Sequence, residues 1–128
     1  MYKEKSSIEN REILFGDFVF RKGINVTVRK GVKWHGAEGE FAARPTKKEG
    51  LSDKRKALIV ISQTAIHHFR NLPAKVIDLE HDRRARTYSG LLKGMREAYG
   101  EDFSENEYVT VVFFNVKKRK VGDKECKK

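Results

Sequence analysis

The run Tyr108-Val109-Thr110-Val111-Val112-Phe113-Phe114-Asn115-Val116 constrains the fold more than any other stretch of the chain. It carries no charge, glycine or proline, and it is built of β-branched and aromatic residues, which pack well on a pleated surface and lose rotamer freedom in a helix. Such a run is a strand. A second run, Ala57-Leu58-Ile59-Val60-Ile61, has the same character and is expected at the centre of a sheet.

The body around these strands is small. At 128 residues a chain buries about two-thirds of its unfolded surface, enough for one continuous core and too little for a second full domain. Apolar residues make up only 38% and charged residues 36%, yet aromatics reach 10%, a share that points to a folded core under a charged skin. Lys and Arg number 28 against 18 Asp and Glu, a formal charge of +10 that suits an anionic partner. The single cysteine, Cys126, cannot form an internal disulfide, so a reducing setting is expected. No apolar run approaches the roughly 18 to 20 residues needed to cross a bilayer. The charged start Met1 to Ser7 is not followed by an apolar segment, so the expected location is cytoplasmic.

Around the two runs lie shorter signals. Gly16-Asp17-Phe18-Val19-Phe20 is the first informative stretch, and Ile24, Val26 and Val28 then alternate with Asn25, Thr27 and Arg29, the period of a half-buried strand. Thr27 and Arg29 share one face of it. Val32 to Gly36 reads as a loop from which Trp34 and its basic neighbours project. Gly39 to Arg44 is extended and stopped by Pro45, and the lysine-rich stretch from there to Lys56 reads as a solvated loop. Gln63 to Asn71 fits a bent continuation of the strand or a short helix, and Val76 to Leu79 a further short strand. The polar segment Glu80 to Arg86 leads to a helix with Leu91, Leu92, Met95, Ala98 and Tyr99 on one face, Ser89 as its N-cap and Gly100 at its end. Gly90 and Gly94 each weaken that helix by about 1 kcal/mol relative to alanine. From Lys117 to Lys128 seven basic and two acidic residues give +5, the composition of a disordered tail. The expected class is α+β, a small mixed β-barrel with a helix before the last strand. It divides as 1–12 an N-terminal extension, 13–116 the domain and 117–128 the basic tail.

Two segments resemble the ASCH domain, a member of the PUA-like superfamily. Val26-Thr27-Val28-Arg29-Lys30-Gly31-Val32-Lys33-Trp34 is similar to the family's Thr-x-Arg strand and following basic loop. Leu91 to Gly100, an acidic turn and Val109 to Phe114 are similar to its closing helix, Tyr-Gly turn and last strand. The resemblance covers roughly Phe15 to Val116. It implies a PUA-like barrel with a cleft for RNA or a nucleotide, and some members are amidohydrolases acting on N4-acetylcytidine or are linked to ribonuclease activity. In the amidohydrolase pattern a lysine lies three residues before the threonine and a glutamate comes from the polar segment before the helix. Here Ile24 holds the first position, with Lys22 the nearest lysine, and spacing to Asp82 and Tyr88 puts Arg86 in the second. An isoleucine cannot activate a hydroxyl, and a guanidinium stays protonated, so it binds anions but is no base.

The candidate interface is therefore Thr27, Arg29, Lys30, Lys33, Trp34, His35, Arg83, Arg84 and Arg86. Cations attract phosphate and an indole face stacks on a base for roughly 1–3 kcal/mol. Against this, Trp34 packed on the barrel end, Thr27 as an ordinary strand residue and the arginines neutralised by Glu80 and Asp82 are the plain structural alternatives. The four histidines lack metal-ligand spacing, so no metal or cofactor is expected, though His35 or His81 titrates in the range of a general acid or base. RNA or nucleotide binding is the favoured reading. Hydrolysis of a modified nucleoside or of RNA, with Thr27 and Lys22 or a histidine, is the alternative, and binding of an acidic protein partner is a third.

Overall fold

The uncharged run near the C-terminus is paired along both of its edges. In a computed structural model that describes residues 6–46 and 55–120, it lies in strand β5 (Tyr108–Lys120), which pairs antiparallel with β4 (Lys56–His68) on one side and β2 (Ile24–Lys30) on the other. Beyond β4 come β3 (Gly39–Pro45), antiparallel, and β1 (Glu12–Phe15), parallel to β3, so the spatial order is β1-β3-β4-β5-β2. The Ala57–Ile61 run is thus in the central strand, with Ala57, Ile59 and Ile61 buried and Leu58 and Val60 half-buried. Pro45 ends β3 at its pairing with Phe15. Residues 47–54 of the expected lysine-rich loop and 121–128 of the tail lie outside the described residues.

Irregular register on β4, between Leu58 and Ile59 and between Ile61 and Gln63, bends the strand, and the sheet curls into a half-barrel. Phe15, on edge strand β1, meets Phe114 of β5 at 5.6 Å between ring centroids. The Arg29 guanidinium of the opposite edge, β2, sits 4.9 Å over the Phe15 ring. Alternating residues of β5 serve two cores. Val112 and Phe114 join Phe15, Phe41, Ile59 and Ile61 inside the curl, whereas Val109 and Val111 join Phe69, Leu91, Met95 and Phe103 under the helices.

Several local expectations change. β2 is not half-buried: Asn25, Val26, Thr27 and Val28 are all buried, because helices cover one face and the curl encloses the other. Its polar face is satisfied internally, Asn25 holding the turn through its amide to the Arg21 and Gly23 carbonyls. β4 continues to His68 and then turns through a short 3-10 helix, Phe69–Asn71. Val76–Leu79 is not a strand. Pro73, whose missing N–H is no loss at a helix start, precedes helix α1 (Ala74–Asp78), and Leu72 and Ile77 anchor this turn in the outer core. Helix α2 spans Tyr88–Tyr99 and is capped by Thr87, not Ser89: the Thr87 hydroxyl accepts from the Gly90 N–H at 3.1 Å. Leu91 and Met95 are its buried residues, while Ala98 and Tyr99 stay exposed. At the other end β5 runs on through Lys117 to Lys120, paired with β4, so the basic stretch begins as sheet. Among the described residues no helix is long and apolar enough to cross a membrane.

Candidate functional site

The free edge of β2 creates the site. After α1 the chain returns alongside that edge in the parallel sense, the Val26 N–H donating to the Leu79 carbonyl and the His81 N–H to the Val26 carbonyl, each at 2.9 Å. This covers backbone groups that would otherwise be unpaired. It also carries Glu80 and His81 against Thr27 and Arg29. With α2 packed over the same region, a cleft of about 390 Å³ forms, lined by Thr27, Arg29, Glu80 and His81 together with Phe15 and Tyr99.

The buried polar groups in the cleft are held. The Arg29 Nε donates to the Thr27 hydroxyl oxygen at 3.1 Å, and its guanidinium is flattened over Phe15. Desolvation lowers the Arg29 pKa from its ordinary value, with Tyr99 and Glu80 opposing that shift. Glu80 is 4% exposed, and its Oε1 accepts from the Asp82 N–H at 3.0 Å. Burial pushes its carboxyl up to about 7, against the pull of the Asp82 N–H, the Arg29 charge and the Val28 N–H. Burial likewise drives His81 down to about 4. The His81 Nδ1 lies 2.8 Å from the Val19 carbonyl, which can only accept, so the neutral ring carries its proton there. The lone pair of Nε2 then faces Glu80 Oε1 at 3.8 Å.

The arginines of the polar segment have separate tasks. Arg86 does not line the cleft; its Nε donates to the Glu80 carbonyl at 2.7 Å and an Nη to the His81 carbonyl at 3.3 Å, fixing the segment from behind. Arg84 forms ion pairs with Asp17 and with Asp82, the latter at 3.2 Å. Arg83 and Arg86 line a second, adjoining hollow rather than the cleft.

Of the residues expected from sequence, Thr27 and Arg29 meet in the cleft and Arg84 lies on its rim. The basic loop does not join them. Lys33 and His35 are exposed on the turn after β2, Lys30 is paired with Glu107 at 3.7 Å, and Lys22 and Ile24 are exposed at the start of β2, outside the cleft. Trp34 does not project from its loop. It is 4% exposed and packs 5.7 Å from Phe41 in the inner core, closing the end of the half-barrel, so it offers no face for a base. The cleft is not basic either: four carboxyls, Asp17, Glu80, Asp82 and Glu97, line it against two guanidiniums. Sequence reading missed Glu80 as a site residue, treating it as a counter-charge to the arginines. The available signal was its position in the polar segment just before the helix. Comparison of the chain with known protein families, with characterised proteins and with solved structures returns no match.

Proposed function

We propose that the protein binds RNA or a nucleotide, with one nucleoside unit in the cleft, and that it is an ASCH-type member of the PUA-like barrels. The observation that carries this reading is the convergence of Thr27, Arg29, Glu80 and His81 on a single cleft of about 390 Å³ with the exposed aromatic ring of Tyr99 in its wall. A nucleobase needs an apolar or aromatic face together with donors and acceptors at its edge. Near neutrality a half-protonated Glu80 both donates and accepts, and the fixed Arg29 donates. The curled sheet, the helix before the last strand and the Thr27 to Arg29 strand beside the cleft agree with the family resemblance. The nucleoside-stacking role given to Trp34 passes to Tyr99, which lines the cleft and is 38% exposed. Isothermal titration with short single-stranded RNA and with nucleoside monophosphates tests this. Arg29→Gln and Tyr99→Ala are expected to weaken binding at least about tenfold, since each good contact is worth a kilocalorie or more. Lys33→Ala and His35→Ala leave it unchanged. Equal effects of the two pairs, or no binding at low salt, overturn the reading.

A hydrolytic reading has one observation in its favour: Glu80, raised to about 7, is poised to exchange a proton beside the Thr27 strand. No lysine lines the cleft, and the Thr27 hydroxyl accepts from Arg29, a donor that orients the oxygen without taking its proton. Binding therefore stands ahead of hydrolysis. Incubation with N4-acetylcytidine and with labelled RNA decides between them: turnover lost in both Thr27→Val and Glu80→Gln supports hydrolysis, and absence of turnover in the intact protein excludes it for these substrates.

A further inference from the structure

The cleft's lining is rich in carboxyls, yet positive charge gathers immediately behind it. The second hollow, of about 580 Å³, shares Asp17, His81, Asp82 and Arg84 with the cleft and adds Arg21, Arg83 and Arg86. Four guanidiniums against two carboxylates leave a surplus of two positive charges there, and the buried His81 is neutral. Arg84 alone engages both aspartates, so the surplus sits on the others. Two of these are held in place by backbone carbonyls: Arg86 by those of Glu80 and His81, and Arg21 by that of Asp78 at 2.8 Å. Each guanidinium has five N–H donors, so most of theirs are left over. The Arg83 side chain makes no hydrogen bond or ion pair among the described residues and is exposed.

Anchored guanidiniums with spare donors are preorganised for phosphate, whose oxygens match the guanidinium fork. The carboxyl-lined cleft repels the same group. The uncharged and the anionic portions of one ligand are thus sorted into neighbouring compartments that share a wall. We propose that the second hollow is a phosphoryl subsite, so that the bound molecule is a phosphorylated nucleoside unit with its base and sugar in the cleft and its phosphoryl group against Arg21, Arg83 and Arg86. This rests on the reading of the cleft as a nucleoside site. Free nucleotide and RNA backbone present the same phosphoryl chemistry, and the test separates them.

The full chain is titrated with common ribonucleosides, with their 5′- and 3′-monophosphates, with inorganic pyrophosphate and with a short single-stranded oligoribonucleotide. The expected result is at least about tenfold tighter binding of a monophosphate than of its nucleoside, a gain of about 1.4 kcal/mol. Arg83→Glu, at an exposed position without partners, abolishes that gain and leaves nucleoside affinity intact. Equal affinity for nucleoside and monophosphate overturns the subsite while the cleft reading survives. Pyrophosphate binding as tightly as nucleotide, and lost in Arg83→Glu, keeps the subsite and overturns the nucleoside reading instead. An oligonucleotide that binds more tightly than any monophosphate, with a salt dependence that Arg83→Glu lowers, assigns the phosphoryl group to RNA; equal binding assigns it to free nucleotide.

Discussion

Replacing Glu80 by glutamine separates two opposing pH effects built into neighbouring buried groups. In the unfolded chain Glu80 releases its proton near the ordinary 4.5; in the folded protein burial delays this to about 7. Between those values the unfolded state binds fewer protons, so stability falls as pH rises, by about 3 kcal/mol across the window. His81 behaves in the opposite way. Its ordinary value is 6.5 and burial lowers it to about 4, so the unfolded state takes up the proton first and stability is lost as pH falls through that range, again by about 3 kcal/mol. The slopes are equal and opposite where the windows overlap, and the intact pair leaves stability nearly flat there. Glu80→Gln keeps the shape and an oxygen to accept from the Asp82 N–H while removing one of the two slopes. The variant is then expected to gain stability relative to the parent as pH rises, by about 3 kcal/mol between pH 4.5 and about pH 8. Urea unfolding of both proteins across this range measures the difference, and contributions from all other groups cancel in it. A difference that does not change with pH refutes the buried, proton-retaining Glu80.

Gly90→Ala and Gly94→Ala should move stability in opposite directions although both remove a helix-weakening glycine. A Cβ at Gly90 would meet the Arg84 carbonyl oxygen at 2.2 Å, at a cost of about 1–3 kcal/mol in displaced backbone, whereas at Gly94 nothing lies within 4 Å and the helix gains up to about 1 kcal/mol; thermal melts of the two variants decide. Trp34→Ala is expected to cost about 3–5 kcal/mol in chemical denaturation, as a buried aromatic does. Trp34 is the only tryptophan, so its emission should be blue-shifted and unmoved by saturating nucleotide; a solvent-exposed spectrum would put it back on the surface. Arg86→Ala strips the donors from two carbonyls and should destabilise by about 2 kcal/mol, while Arg86→Lys, which lacks the planar fork, restores only part of this in the same unfolding assay.

Periodicity and residue type alone determined the strands at Ile24–Lys30, Ala57–Ile61 and Tyr108–Val116 and the helix before the last strand. Apolar β-branched runs have few other solutions in water, and these signals are local. The strand expected at Val76–Leu79 failed because three apolar residues and Asp78 are too short a run to separate the two periods, and Pro73 with the outer core decided for a helical turn. Trp34 failed for a different reason. An aromatic among lysines reads as surface, and only the curl of the sheet shows that the loop closes over a core that needs a plug. Thr27 and Arg29 were visible as neighbours on one strand face. Glu80 and His81, more than fifty residues away, were not, since their place follows from the chain pairing with the open edge of β2, a long-range contact without sequence periodicity. The division of charge between a carboxyl-rich cleft and an arginine-rich hollow belongs to the same class. The sequence carries a net +10, but which cations face one another depends on which acids the fold places between them.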